Sequence, residues 1–228
     1  MFRVLRKHFC LAVTVITLVV AGNAKTLRAD FFFGPLPCLS SADIPVGFYQ
    51  GGSPFLLEDF ADASLDASIT ASAGNIVFPS GATDSVDGDD GAIDGSGQGG
   101  YSWFYIDGAT GISFTFSGTL PTAAAVVWTD GNGQATFEAF DENGDSIGTI
   151  GPVNVGDASF NGTTAEDRFF GATHASGISR IHISSSDGGI EVDHVQFGTA
   201  AIPEPSTVFP LMVALALFPQ SRRKRHTG

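Results

Sequence analysis

The chain has 228 residues and a net charge of −13, from 11 Lys and Arg against 24 Asp and Glu. Nine of the basic residues lie before Asp30 or after Pro219, so residues 30–200 hold two arginines and 23 acidic residues, a net charge of −21. Such a surface repels phosphate backbones, which argues against nucleic acid as a partner and leaves divalent cations as plausible ligands. The many Gly, Ser, Thr, Asp and Phe residues and the scarcity of strong helix formers indicate a β-rich domain with many turns.

Residues 1–29 predict a secretory signal peptide. A basic start (Arg3, Arg6, Lys7) precedes the apolar run 11–21, which has the length of a signal-peptide core and is too short to span a bilayer. Small-residue cleavage sites end at Ala24 and at Ala29, and the pattern does not decide between them. The folded part is therefore expected to be one domain over residues 30–200.

The mature region predicts a series of short strands. Residues 112–117 alternate with period two, which places Ile112, Phe114 and Phe116 on one face. Residues 135–140 and 146–150 flank Asp141-Glu-Asn-Gly-Asp145, a hairpin signal. Further strand-like runs are 124–128, 168–171, 178–183 and 190–197, while residues 58–72 are expected to hold at most one or two helical turns. This spacing predicts an all-β, antiparallel, jelly-roll-like β-sandwich, flanked by an N-terminal signal helix and a C-terminal sorting helix.

An acidic segment between the early strands is the strongest candidate for a metal site. Five carboxylates within eleven residues, separated by glycines, can surround a hard cation that needs several oxygen ligands. The alternative is a solvated acidic loop. The candidate calcium ligands in this segment are Asp84, Asp87, Asp89, Asp90 and Asp94.

Two aromatic residues that follow the acidic segment are candidates for sugar binding. Tyr101 and Trp103 alternate, so they share one face of a possible strand, and exposed aromatic faces stack on pyranose rings. Packing of both rings in the core is the alternative interpretation. Cys38, the one cysteine of the mature region, cannot form an internal disulfide and has no zinc-type spacing to His or Cys.

Four runs in the second half of the domain resemble galactose-binding-like jelly rolls, which occur in carbohydrate-binding modules and many exported bacterial proteins. The runs are residues 127–131, 137–141, 177–181 and 192–197. The resemblance implies a structural calcium that links an early acidic residue to one near the last strand. Glu58 or Asp59 would be the early ligand and Asp193 the late one.

The C-terminus has three parts in a fixed order. A Pro203-Glu204-Pro205 motif comes first, then the apolar segment 208–218, then a basic stub of Arg222, Arg223, Lys224 and Arg225 that favours the cytoplasmic side. This arrangement resembles the PEP-CTERM sorting signal over residues 201–228. The resemblance implies recognition and cleavage by an exosortase after passage through the export translocase.

These features predict an exported protein with transient inner-membrane attachment, destined for the cell surface, the outer membrane or the extracellular space. The leading interpretation is a non-enzymatic surface or matrix protein associated with extracellular polysaccharide or biofilm. A carbohydrate-binding module is the alternative, and a polysaccharide hydrolase is a weaker one, since no catalytic motif is present. We therefore assign no catalytic residue.

Overall fold

The computed structural model describes residues 30–38, 40–49, 55–86, 100–156 and 166–199. Within these ranges there is no α-helix, and a 3-10 turn spans Ser41–Asp43. The strands are β1 Phe31–Pro37, β2 Phe55–Glu58, β3 Ile69–Ala71, β4 Asn75–Val77, β5 Ser102–Tyr105, β6 Ile112–Phe116, β7 Ala123–Phe140, β8 Ser146–Asn154, β9 Arg168–Thr173 and β10 Arg180–Gly198. The all-β prediction is thus confirmed. The predicted signal and sorting helices lie outside the described residues, and the described part contains no helix of the length and apolarity needed to cross a membrane.

All described strands belong to one antiparallel sheet built on two long neighbours, β7 and β10. These two strands pair along nearly their whole length. On its other edge β7 pairs with β9 through its first half and with β8 through its second half. β10 pairs in the same way with β6 near its start, β5 in its middle and β2 near its end. The long pair is therefore the backbone of the domain.

The sheet is folded over, so that its two ends face each other across a core. The β7–β10 register shifts several times between Ser185 and Gln196, and such bulges bend a ladder. Phe137 from the second half of β7 stacks on Phe170 of β9, with ring centroids 6.2 Å apart. Phe116 of β6 packs on Phe197 at the far end of β10, at 5.0 Å. These ring contacts between opposite halves give a β-sandwich-like arrangement.

The bend also explains why β7 is longer than the sequence indicates. The sequence predicts separate strands at residues 124–128 and 135–140, and Asp130-Gly-Asn-Gly133 between them has the composition of a turn. In the structure β7 runs through this segment. A Cβ on Gly131 would lie 2.3 Å from Cζ2 of Trp128, so a glycine is required where the buried indole lies against the strand.

The other strand predictions are confirmed or extended. Ile112, Phe114 and Phe116 of β6 are all buried in the core, as the period-two pattern predicts. The β7–β8 hairpin closes where predicted. The runs 178–183 and 190–197 join into the single strand β10, and β1 forms from a proline-containing lead-in that carries no clear strand pattern. Residues 58–72 contain turns and β3 where at most one or two helical turns were expected.

The opposite face of β7, β9 and β10 is covered as well, and we call it the covered face. A second apolar cluster forms there from Cys38, Phe48, Val86, Ala123, Ala125, Val127 and Phe169. The residues before β2 and the segment that precedes residue 87 supply the overlying side chains. Both faces of the central strands are therefore buried, as in a fully enclosed sheet layer.

Candidate functional site

The covered face and its surroundings bury an unusual number of carboxylates. Seven acidic residues of the described part are at most 6% exposed: Glu58, Asp84, Asp130, Glu166, Asp167, Glu191 and Asp193. Acidic side chains are almost never this buried without partners, because desolvation of the charge is costly. The partners of these carboxylates therefore decide how the domain is held together.

The two arginines of the domain contact groups other than these carboxylates. Arg168 donates to the backbone carbonyl of Asp167 at 2.9 Å. Arg180 donates to Ser113 and lies over the ring of Phe140, 3.5 Å from its centroid. Within the described residues neither guanidinium forms a salt bridge with a carboxylate. Backbone and hydroxyl donors bond to Glu58, Glu191 and Asp193, and Glu166 also accepts from an indole N–H. In addition, Nε2 of His194 lies 3.9 Å from Oδ2 of Asp193.

Strand alternation on β10 puts two of these carboxylates on the covered face. Ile190 and Val192 point into the core, so Glu191 and Asp193 point the other way. Asp130 lies opposite Glu191 in the β7–β10 register. His194 has φ 47°, which breaks the alternation and returns Val195 to the core. The period-two alternation of β10 thus places Glu191 and Asp193 on the covered face, where other parts of the chain bury them.

Asp193 fixes the start of the acidic segment to the sheet. Its Oδ2 accepts hydrogen bonds from the Ser85 hydroxyl and the Val86 backbone N–H, both at 3.0 Å. Its Oδ1 accepts the N–H of His194 at 2.6 Å. Because residues 85 and 193 are far apart in the chain, these bonds close a long-range connection. We call this set the Asp193 clamp.

Glu191 makes the neighbouring connection. Its Oε1 accepts the backbone N–H of Asp84 at 3.3 Å and the hydroxyl of Ser102 on β5. Burial raises the pKa of Glu191 to about 7, against the lowering effect of the Ser102 and Asp84 hydrogen bonds. The negative charges of Asp84 and Asp193 raise it further. Glu191 therefore titrates near neutral pH.

The structure brings together two of the predicted calcium ligands. Asp84 and Asp193 are both fully buried, and the Asp193 clamp holds Ser85, the residue that follows Asp84. Asp87, Asp89, Asp90 and Asp94 lie outside the described residues. Among the residues that the structure does describe, no group of three His, Cys, Asp or Glu side chains is arranged to hold a metal ion. A complete ligand set would need side chains beyond this part.

The early ligands implied by the galactose-binding-like resemblance have local partners. Glu58 accepts the backbone N–H groups of Phe60, at 2.7 Å, and Asp66. Asp59 accepts the N–H of Ala61 at 3.0 Å. Both carboxylates thus support the turn that follows β2.

Trp103 lies in the core, the alternative that the sequence left open. It is 8% exposed, packs against Phe60 and Phe114, and donates its indole N–H to the Ala73 carbonyl at 2.9 Å. Tyr101 is partly buried, with its ring 5.5 Å from that of Phe78. The aromatic ring with the most exposed surface in this region is that of Phe78, which is 64% exposed.

Cys38 is fully buried in the second apolar cluster. Burial raises the pKa of its thiol to about 12, and the nearby charges of Asp43 and Asp167 add to the increase. A thiol with a pKa raised in this way stays protonated and is a poor nucleophile near neutral pH. Its place in the cluster is that of a small apolar residue.

A cleft of about 610 Å³ opens beside the Glu191 carboxylate. Its lining comes from β4, β5, the residues after each of them, and the bend of the β7–β10 pair. Asp130 and Glu191 contribute its acidic side chains, and the rest of the lining is mostly apolar. Sequence reasoning missed both acids, although the apolar–acidic alternation of residues 190–193 was an available signal for Glu191.

Comparison with known proteins adds no relative, since no family model and no curated protein matches this chain.

The raised pKa of Glu191 predicts a pH-dependent stability. The folded protein binds the Glu191 proton more tightly than the unfolded chain does, in which the reference pKa is 4.5. Protonated Glu191 therefore stabilises the fold fully below pH 4.5, and this stabilisation is lost as the pH rises through about 7. The loss amounts to at most about 3 kcal/mol. We expect Glu191→Gln to remove it, so that the difference in unfolding free energy between wild type and variant changes across this range. Urea unfolding in chelator at several pH values measures the difference, and a pH-independent value would contradict the assignment.

Proposed function

We propose that this protein is an exported, non-enzymatic cell-surface or extracellular-matrix protein, sorted through a PEP-CTERM signal and associated with extracellular polysaccharide. The observation that carries the proposal is the separation of charge along the chain. Residues 30–200 hold 23 acidic residues and two arginines, while nine basic residues occupy the two ends. Basic ends beside apolar segments are typical of membrane-targeting signals, and an acidic middle suits a domain that works outside the cytoplasm.

The buried carboxylates support a structural role for the domain. Asp193 and Glu191 hold the segment at residues 84–86 through backbone and hydroxyl donors, as groups that stabilise a fold do. In finer detail we propose a jelly-roll-like β-sandwich, which is consistent with the two long central strands and the folded-over sheet. The use of these acids as fold supports is one reason why we propose a non-enzymatic function.

We further propose that calcium stabilises the domain, with ligands drawn from Asp84, Asp87, Asp89, Asp90, Asp94 and Asp193. The fit is favourable in charge, because Asp84 and Asp193 are fully buried close to further carboxylates in a domain with two basic residues. Extracellular modules bind calcium with dissociation constants of about 10⁻⁴–10⁻³ M, which matches a site that fills after export. Calcium would neutralise repulsion between carboxylates that hydrogen bonds alone leave charged.

A carbohydrate-binding module remains the second candidate, on the resemblance to galactose-binding-like folds. Trp103 is buried, so stacking on a sugar would fall to Tyr101 and the exposed ring of Phe78. This pair is a smaller platform than the sequence suggested.

Calcium should raise the melting temperature of the full chain. A ligand that binds only the folded state at about 10–100 times its dissociation constant adds about 1.4–2.7 kcal/mol, or roughly 3–10 °C for a domain of this size. We expect Asp193→Asn to reduce this shift and the exposed-site control Asp145→Asn to keep it. Differential scanning calorimetry in chelator and in calcium measures both. An identical melting temperature in the two buffers would overturn the calcium proposal.

Protein released from the cell surface should lack the basic stub at residues 222–225, because cleavage near the Pro203-Glu204-Pro205 motif removes everything after it. Intact-mass spectrometry of the released protein reads this directly. A variant with Pro203→Ala and Pro205→Ala is the matched control and should stay attached to the membrane with its stub. Recovery of released wild-type protein that still carries Arg222–Arg225 would refute processing.

A further inference from the structure

The cleft beside Glu191 has no role in the function proposed above. Its volume of about 610 Å³ falls within the range of pockets that enclose small organic ligands, about 300–1,000 Å³. Such pockets are mostly apolar and use a few polar groups to orient the ligand. The apolar side chains that line it are Val77, Phe78, Phe104, Ile106 and Ile190.

Two of these apolar side chains are exposed to an unusual degree. Phe78 is 64% exposed and Ile106 is 72% exposed, and both border the cleft. Large apolar residues at the rim of an apolar concavity lose unfavourable contact with water when a ligand with an apolar body enters. The body of the ligand is therefore expected to be hydrocarbon.

The polar side chains of the lining are two hydroxyls, of Ser80 and Thr83, and two carboxylates, of Asp130 and Glu191. The Ser80 and Thr83 hydroxyls bond to each other at 2.9 Å, and Thr83 also donates to the Phe78 carbonyl at 2.8 Å. Asp130 and Glu191 lie opposite each other in the β7–β10 register, so their side chains share one face. Recognition of a polar head thus falls to these two acids.

Glu191 has an oxygen available for a ligand. Both hydrogen bonds that its carboxylate accepts from described residues go to Oε1. Its Oε2 accepts none from the same part of the chain, and the side chain lines the cleft. A carboxylate oxygen in an apolar pocket is a strong acceptor for a charged N–H donor.

We propose that this cleft binds a small organic cation, with its apolar body between Phe78 and Ile106 and its ammonium head at Glu191 and Asp130. An anionic ligand is disfavoured by the two carboxylates and by the net charge of −21 over residues 30–200. A neutral sugar would need polar partners around its ring that this mostly apolar lining does not supply. The inference depends on neither calcium binding nor export.

Three probes with the same apolar body test the head group: 4-phenylbutylamine, 4-phenylbutan-1-ol and 4-phenylbutyrate. Isothermal titration and ligand-observed NMR with the full chain, at about pH 8 where the amine is still protonated, compare their affinities. We expect the amine to bind at least about tenfold more tightly than the alcohol, since only the amine can form a charge-assisted hydrogen bond to the carboxylates, and we expect the carboxylate not to bind. Equal affinity for all three probes would overturn the proposal.

Three variants test whether the amine binds in the cleft or at acidic residues on the surface. Glu191→Gln should weaken the amine about tenfold and leave the alcohol nearly unchanged, because only the charged contact is lost. Ile106→Ser at the exposed rim should weaken both, whereas Leu56→Ser, a 49% exposed apolar residue outside the cleft lining, should weaken neither. If Glu191→Gln does not fold, Asp130→Asn and Ile106→Ser decide. Amine binding that Ile106→Ser leaves unchanged would show attachment to surface acids and refute the cleft.

Discussion

The rest of this structure depends on the burial of carboxylates beside one another in a domain that has almost no basic residues. Glu191 and Asp193 point away from the core of the folded-over sheet, yet they are covered and only 5% and 0% exposed. Desolvation of such groups is costly unless donors surround them. The backbone N–H groups of Asp84 and Val86 and the hydroxyls of Ser85 and Ser102 meet this need. The acids therefore determine where the segment over the sheet must lie.

The buried carboxylates of β10 connect the proposed calcium site with the cleft beside Glu191. Glu191 binds the N–H of Asp84 with one carboxylate oxygen and lines the cleft with the same side chain, while Asp193, two residues further on, holds Ser85 and Val86. A cation bound at either site would reduce the electrostatic repulsion among the carboxylates of both. Stability, ion binding and ligand binding are thus expected to depend on one stretch of β10.

Local patterns in the sequence predicted local structure well. The period-two run in β6 and the Asn-Gly signal between β7 and β8 each encode an element that short-range contacts decide. The continuity of β7 was not predictable, because Asp130-Gly-Asn-Gly133 forms strand only beside its bulged partner β10, with Gly131 against the Trp128 indole. The burial of the acids on the covered face was not predictable either, because the residues that cover them are distant in the chain. Nothing near Glu191 in the chain shows that residues 84–86 will cover it, and nothing near Trp103 shows that Phe60 and Phe114 will enclose it.

The clamp at Asp193 can be measured directly by hydrogen exchange at the backbone amide of Val86, followed by NMR on the full chain. We expect this amide to be protected in the wild type and to exchange at least about tenfold faster in Asp193→Asn, a loss of about 1.4 kcal/mol or more of local stability. Amides in β6 should keep their wild-type rates, because β6 packs in the core on the other face. Exchange at Val86 that is fast in the wild type, or unchanged in the variant, would contradict the claim that buried acids hold this segment to the sheet.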